Sequence, residues 1–249
     1  METQTTQIAV AHRPERTERV FRRTATWRIL HWAQFLAIVA ATVTGLYIAD
    51  PYYAAGTPNL MAWNRAIHLY AAIVLDLVVI AFAYLYFFSR AERSAEQLRP
   101  SRSNLQRFQE AFLNFVLLNR RKRFDSSIAD PLNAVWFALL HVFVVIQLFT
   151  GLQLYVQHFT AGTSVIGSWW PWVMHATTDW TRTVFGGVMG VRAAHHITMY
   201  FILAWVLCHI YYEVWRTIVW KEGDIGIAFG GYKFRRRSPA TDATPEPGP

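Results

Sequence analysis

The stretch VRAAHHITMYFILAWVLCHIYYE, residues 191–213, is apolar enough to lie within a membrane and yet holds three histidines. Polar side chains inside a transmembrane helix are costly and face the bundle interior, where something must bind them. Helical phase sorts the three. At about 100° per residue, the 14-residue step from His195 to His209 falls about 40° short of four turns, so these two share one face. His196 is about 140° out of phase with His209 and leaves that line. At 1.5 Å per residue the in-phase pair is about 21 Å apart along the axis, one histidine toward each membrane surface.

Working outward, three further apolar runs, at 29–49, 66–88 and 132–156, join 193–215 as segments able to cross a hydrocarbon core about 30 Å thick, which takes roughly 20 helical residues. The expected fold is therefore all-α. It is an integral membrane four-helix bundle over 27–222, flanked by tails at 1–26 and 223–249, of which 1–26 and 238–249 are polar or Pro-rich and cannot bury a core. The first 25 residues are polar and Arg-rich, and the first apolar run is long enough to stay as a helix, so no cleavable signal peptide is expected. Of 24 Lys and Arg residues, six precede residue 30, nine lie between 89 and 131, and six follow 215. Only Arg65, Arg182 and Arg192 remain for the opposite side, and this asymmetry predicts that both termini and the middle loop are cytoplasmic. The net charge of +8 is thus explained by topology, and no nucleic-acid-binding module is present in the basic segments.

Cys208 is the single cysteine, which excludes an internal disulfide, a cysteine-ligated cluster and the C-x-x-C-H attachment of covalent haem. The amphipathic piece LQRFQEAFLNFVLL (105–118) suits either the inner membrane surface or a helix packed under the bundle. The tryptophans of SWWPWVMHATTDW (168–180) suit an interfacial belt or a docking surface. TGL occurs at 44–46 and again at 150–152, near the ends of the first and third spans, and hints at a repeated hairpin.

Each in-phase histidine of the fourth span needs a partner at its own depth. His31 opens the first span at its cytoplasmic end and His68 opens the second at its outer end, so depth pairs His68 with His195 and His31 with His209. A zinc or copper site of four ligands would gather them at one level. Two opposed pairs at two levels instead suggest two haems b, each held between helices by axial imidazoles on its iron. Arg28, Arg65 and Arg192 each stand three residues before His31, His68 and His195, in RILH, RAIH and RAAH. That spacing puts each guanidinium on its histidine's face, one turn nearer water, where it can pair with a haem propionate or simply snorkel to the interface.

The remaining polar residues are less telling. His141 lies inside the third span without a matched partner and reads as a hydrogen-bonded core histidine. His196 packs on a neighbour or faces the interface, and His12, His158 and His175 fall outside the spans. Met199 reads as core. Asp76 is mid-span, and Glu213 follows His209 by four residues on its cytoplasmic side, where it can serve a proton path to quinone or pair with Arg216. His209, Glu213 and Asn133 are the candidates for a quinone site.

With these residues in place, the chain resembles the b-type cytochrome subunit of membrane-bound nickel-iron hydrogenases, related to the gamma subunit of respiratory formate dehydrogenase and to bacterial cytochrome b561. The resemblance rests on WRILHW (27–32), TGLYI (44–48), RAIHLYA (65–71), RAAHHITM (192–199), CHIYYE (208–213) and GDIGIAFGGYKF (223–234). It implies His31, His68, His195 and His209 as haem ligands, and a place in the bacterial inner membrane among its lipids. It further implies two partners: an iron-sulfur small subunit with a terminal membrane helix, and a large nickel-iron subunit that splits hydrogen. Electrons would pass from the outer haem to the inner one and on to quinone, with no hydrogen-splitting centre in this chain. Two other readings stay open: a diheme cytochrome serving a formate or thiosulfate dehydrogenase, and a haem-free anchor or transporter.

Overall fold

Thr24 opens the first long helix. Its hydroxyl accepts the Trp27 N–H at 3.3 Å, satisfying one of the donors that a helix start leaves free. In the computed structural model the described residues are 17–51, 59–90, 95–116, 131–157, 169–220 and 225–236. In chain order their elements are β1 (Thr17–Phe21), α1 (Ala25–Ala49), α2 (Leu60–Phe88), a 3-10 turn (Ala95–Leu98), α3 (Arg102–Val116), α4 (Pro131–Val156), α5 (Trp169–Thr178), α6 (Trp180–Phe185), α7 (Val188–Trp215), a π-helical turn (Arg216–Trp220), α8 (Ile225–Gly230) and β2 (Tyr232–Arg236). His12, His158 and residues 238–249 lie outside the described residues.

Four helices, α1, α2, α4 and α7 with its π-helical extension, are long and apolar enough to cross a membrane. The four expected spans are all present, and α2 and α7 begin earlier, at Leu60 and Val188. The reason is that hydropathy marks where hydrocarbon begins, whereas a helix continues through polar positions such as Asn64, Arg65 and Arg192. Ala37, Ile38, Leu75, Leu140, Val144 and Ile202 form the central core, one contribution or more from each long helix. Leu36, Leu77, Ile80, Val142 and Phe201 point outward, as lipid-facing residues must.

α3 packs beneath the bundle through Ala111, which meets Leu132 of α4 and Tyr212 of α7, with Phe108, Phe115 and Trp136 closing around them. The same helix leaves Leu105, Phe112, Leu113 and Val116 exposed. This amphipathic piece thus packs under the bundle and leaves several apolar side chains uncovered. α5 is tied to α4 where Thr178 Oγ1 donates to Gln153 Oε1 at 2.7 Å, both side chains being buried. Trp169, Trp172 and Trp180 remain exposed. Gly186 and Gly187, at φ +72° and +102°, turn the chain from α6 into α7.

The segments expected as tails carry structure. β1 and β2 pair antiparallel, from Thr17 with Arg236 to Phe21 with Tyr232. The Arg19 guanidinium lies 3.7 Å above the Tyr232 ring, and Phe21 meets the same ring edge-on. α8 holds this clasp to α1: Trp32 Nε1 donates to the Ala228 carbonyl at 3.0 Å, and Arg28 Nη1 donates to the Phe229 carbonyl. Gly231 makes the turn at φ +79°, where a Cβ would stand 2.4 Å from the Arg23 carbonyl oxygen, so no other residue fits. The tails look unstructured in sequence because each strand's partner is some 200 positions away and neither segment can form a core alone.

Candidate functional site

The up-down course of α1 and α2 brings His31 to the clasp end of the bundle and His68 to the far end. α7 starts at the far end, so His195 lies there and His209 returns to the clasp end. The structure places His31 and His209 with ring centroids 6.3 Å apart and planes at 61°. His68 and His195 repeat the arrangement at 6.3 Å and 62°. Two imidazoles binding one metal ion from opposite sides, at about 2.0 Å per metal–nitrogen bond, hold their ring centres about 6 Å apart. Both pairs therefore have the separation that opposed ligands of one metal ion would have, a distance that edge-to-face ring contact also spans. His196 stands beside His195, its ring 6.4 Å away, and His141 is apart from both pairs, against Phe82 and Phe137. His141 donates Nδ1–H to the Phe137 carbonyl at 2.7 Å.

Hydrogen bonding fixes which nitrogen the far-end histidines present. His68 Nδ1 lies 2.9 Å from the Ala41 carbonyl oxygen, which only accepts, so Nδ1 carries the proton and Nε2 the lone pair. Thr44 Oγ1, 3.1 Å from the same nitrogen, donates its own proton to the Ala40 carbonyl at 2.6 Å. His195 Nδ1 lies 2.9 Å from Thr150 Oγ1, which donates to the Ile146 carbonyl at 2.7 Å and hence accepts from the imidazole. Histidines that bind metal through one nitrogen generally donate the other N–H to such a partner.

The clasp-end pair is built differently. Trp27 stacks on His31 and Trp205 on His209, each from four residues earlier on the same helix, at 5.1 Å and 16° or 17°. His31 Nδ1 is buried and makes no hydrogen bond, while His209 Nδ1 stands 4.0 Å from Glu213 Oε1. Trp205 is itself anchored by donating to the Trp136 carbonyl at 2.9 Å.

The three arginines are not equivalent. Arg65 and Arg192 are exposed one turn beyond His68 and His195. Arg28 makes a further contact, its Nη1 donating to the Phe229 carbonyl of α8. Of the quinone candidates, Glu213 lies against His209. Asn133 lines a cleft with Phe115, Leu132, Trp136 and Tyr212, whose lining includes neither His209 nor Glu213. Sequence reasoning missed Thr44, Thr150, Trp27 and Trp205. The signals were present as the repeated Thr-Gly and as Trp-x-x-x-His in WRILH and WVLCH.

A family model described as prokaryotic cytochrome b561 matches residues 22–231. A probable Ni/Fe-hydrogenase B-type cytochrome subunit of Cupriavidus necator is 24% identical over 218 residues, covering 83% of each chain. Proteins of the same description from Rhodobacter capsulatus and Rhizobium leguminosarum are 24% and 26% identical, covering 88% and 92% of this chain and 85% and 95% of their own.

Proposed function

From the premise that the chain belongs to the prokaryotic cytochrome b561 family, we propose that it is the diheme membrane subunit of a nickel-iron hydrogenase. In this reading it receives electrons from the iron-sulfur small subunit and passes them to quinone. The large nickel-iron subunit performs the hydrogen chemistry. The observation that carries the reading is the pair of like histidine couples at opposite ends of one bundle.

His68 and His195 would hold one haem b at the far end, and His31 and His209 a second at the clasp end. When bound, haem supplies one-electron carriage, and the protein supplies placement, orientation and surroundings. Each imidazole couple lies partly buried between helices, where apolar side chains limit the access of water. Arg65 and Arg192 sit where propionates would meet the interface at the far end. Arg28 steadies the clasp-end site through α8 as well as by charge. The excess of Lys and Arg on both terminal segments and the middle loop supports a reading with the clasp end cytoplasmic and the far end outside, in a bacterial inner membrane. Electron entry then lies at His68 and His195, and quinone reduction near His209 and Glu213, with Asn133 in the adjoining cleft.

Haem content of the purified protein tests the assignment. We expect two haems b in the wild type and the loss of one in each of His31→Ala, His68→Ala, His195→Ala and His209→Ala, while His141→Ala and His196→Ala keep both. Losses confined to the last two variants, or a dithionite-reduced wild type without b-type absorption, would end this reading. Co-purification with hydrogenase subunits, as against a formate or thiosulfate dehydrogenase, tests the choice of partner that the relatives' descriptions favour.

A further inference from the structure

The Thr-Gly dipeptide of the first span and that of the third occupy the same place relative to a histidine on the neighbouring helix. Thr44 Oγ1 is 3.1 Å from His68 Nδ1, and Thr150 Oγ1 is 2.9 Å from His195 Nδ1. Each hydroxyl proton is committed to the carbonyl four residues back in its own helix, which leaves a lone pair for the imidazole N–H. The following glycine completes each cradle. A Cβ on Gly45 would stand 3.1 Å from His68 Cε1, and one on Gly151 would stand 3.2 Å from His195 Cε1. Either is tight enough that the ring would have to shift. Gln147, one turn before Thr150, donates Nε2 to the His195 carbonyl at 2.7 Å and fixes the backbone beneath the ring.

We propose that Thr44-Gly45 and Thr150-Gly151 are matched positioning elements for the far-end couple, in which glycine admits the ring and threonine fixes its rotation and accepts its Nδ1–H. This rests on reading His68 and His195 as axial ligands. Among the described residues the clasp-end couple has no threonine-glycine cradle; tryptophans stack on its rings and Glu213 Oε1 stands 4.0 Å from His209 Nδ1. An accepted N–H bond makes an imidazole a stronger donor to iron and favours the oxidised state, so the threonines lower the potential of the far-end haem alone. The two are unequal. His68 retains the Ala41 carbonyl at 2.9 Å if Thr44 loses its hydroxyl, whereas Thr150 is the acceptor described for His195 Nδ1.

The test is a redox titration with low-temperature EPR of the purified full chain. Thr150→Val, which keeps the shape and removes the acceptor, is expected to raise the far-end midpoint. The ratio of reduced to oxidised haem at fixed potential should change by three- to tenfold, tenfold being about 59 mV for one electron. Thr44→Val should give a smaller rise, and Thr150→Ser should restore the wild-type value. Gly45→Ala and Gly151→Ala should change the far-end EPR g-values by turning the rings, although alanine is the better helix former. The clasp-end signal should stay constant throughout. A Thr150→Val protein that keeps its haem with unchanged midpoint and g-values overturns the inference. If that variant binds no far-end haem, serine decides: wild-type behaviour supports the role, and loss in both overturns it. Should His68→Ala and His195→Ala both retain two haems, the ligand reading itself has failed. If they lose one while Thr150→Val changes nothing, only the positioning role has failed.

Discussion

Trp27 and Trp205 show how much a single residue's setting depends on what lies one turn away. Each covers a face of a clasp-end histidine, and an offset aromatic stack contributes about 0.5–1.5 kcal/mol beyond burial. Trp205 also ties α7 to α4 through the Trp136 carbonyl, so Trp205→Leu removes both restraints on His209. We expect that variant to keep its far-end haem and to lose or loosen the clasp-end one, read as a broadened clasp-end EPR signal and a lower haem-to-protein ratio. The pairing of His195 with His68 and of His209 with His31 was legible in the sequence because helical phase and depth are both periodic. The partners of the imidazole N–H groups were not, since Thr44 and Thr150 reach across from other helices, 24 and 45 positions away. The second contact of Arg28 was hidden for a related reason. Its spacing from His31 matches Arg65 and Arg192, but only the folded chain brings Phe229 within its reach.

At the scale of elements, spans could be counted from hydropathy because a membrane sets a minimum length, whereas their starts could not, because helical hydrogen bonding continues past the apolar stretch. The amphipathic α3 was recognisable, and its orientation was not. Ala111 is 1% exposed and sits where α3 meets α4 and α7. Ala111→Leu should therefore overpack that junction and destabilise it by about 1–3 kcal/mol, measured as a lower midpoint for loss of tertiary signal in detergent. Leu105, Phe112, Leu113 and Val116 are exposed, with Phe112 stacked on Phe108 at the edge of the junction. Replacing Leu113 and Val116, both exposed, by glutamate should leave the junction intact but weaken the helix's hold on the lipid surface. Fluorescence quenching by lipid-borne bromine at a probe near Leu105 reads this as reduced burial.

For the whole molecule, four crossings return the chain to the side from which it started, and the clasp requires the same. Single cysteines placed in the two terminal segments of a Cys208→Ser protein should react with an impermeant reagent from one side of sealed vesicles only, with position 65 labelled from the other. The clasp itself was invisible locally, since Thr17–Phe21 and Tyr232–Arg236 are too short and too charged to be called strands until each has the other. Gly231→Ala should open it, because it places a side chain against the Arg23 carbonyl at positive φ. Faster proteolysis of both terminal segments, with haem content unchanged, is the expected result. The antiparallel ladder has a mechanical corollary. The ladder's outermost pair is Thr17 with Arg236, so tension applied between these two positions loads it as a zipper, one rung after another. Stretched from its ends, the protein should release this fastener first, as a small extension at low force, before any helix is drawn from the bilayer.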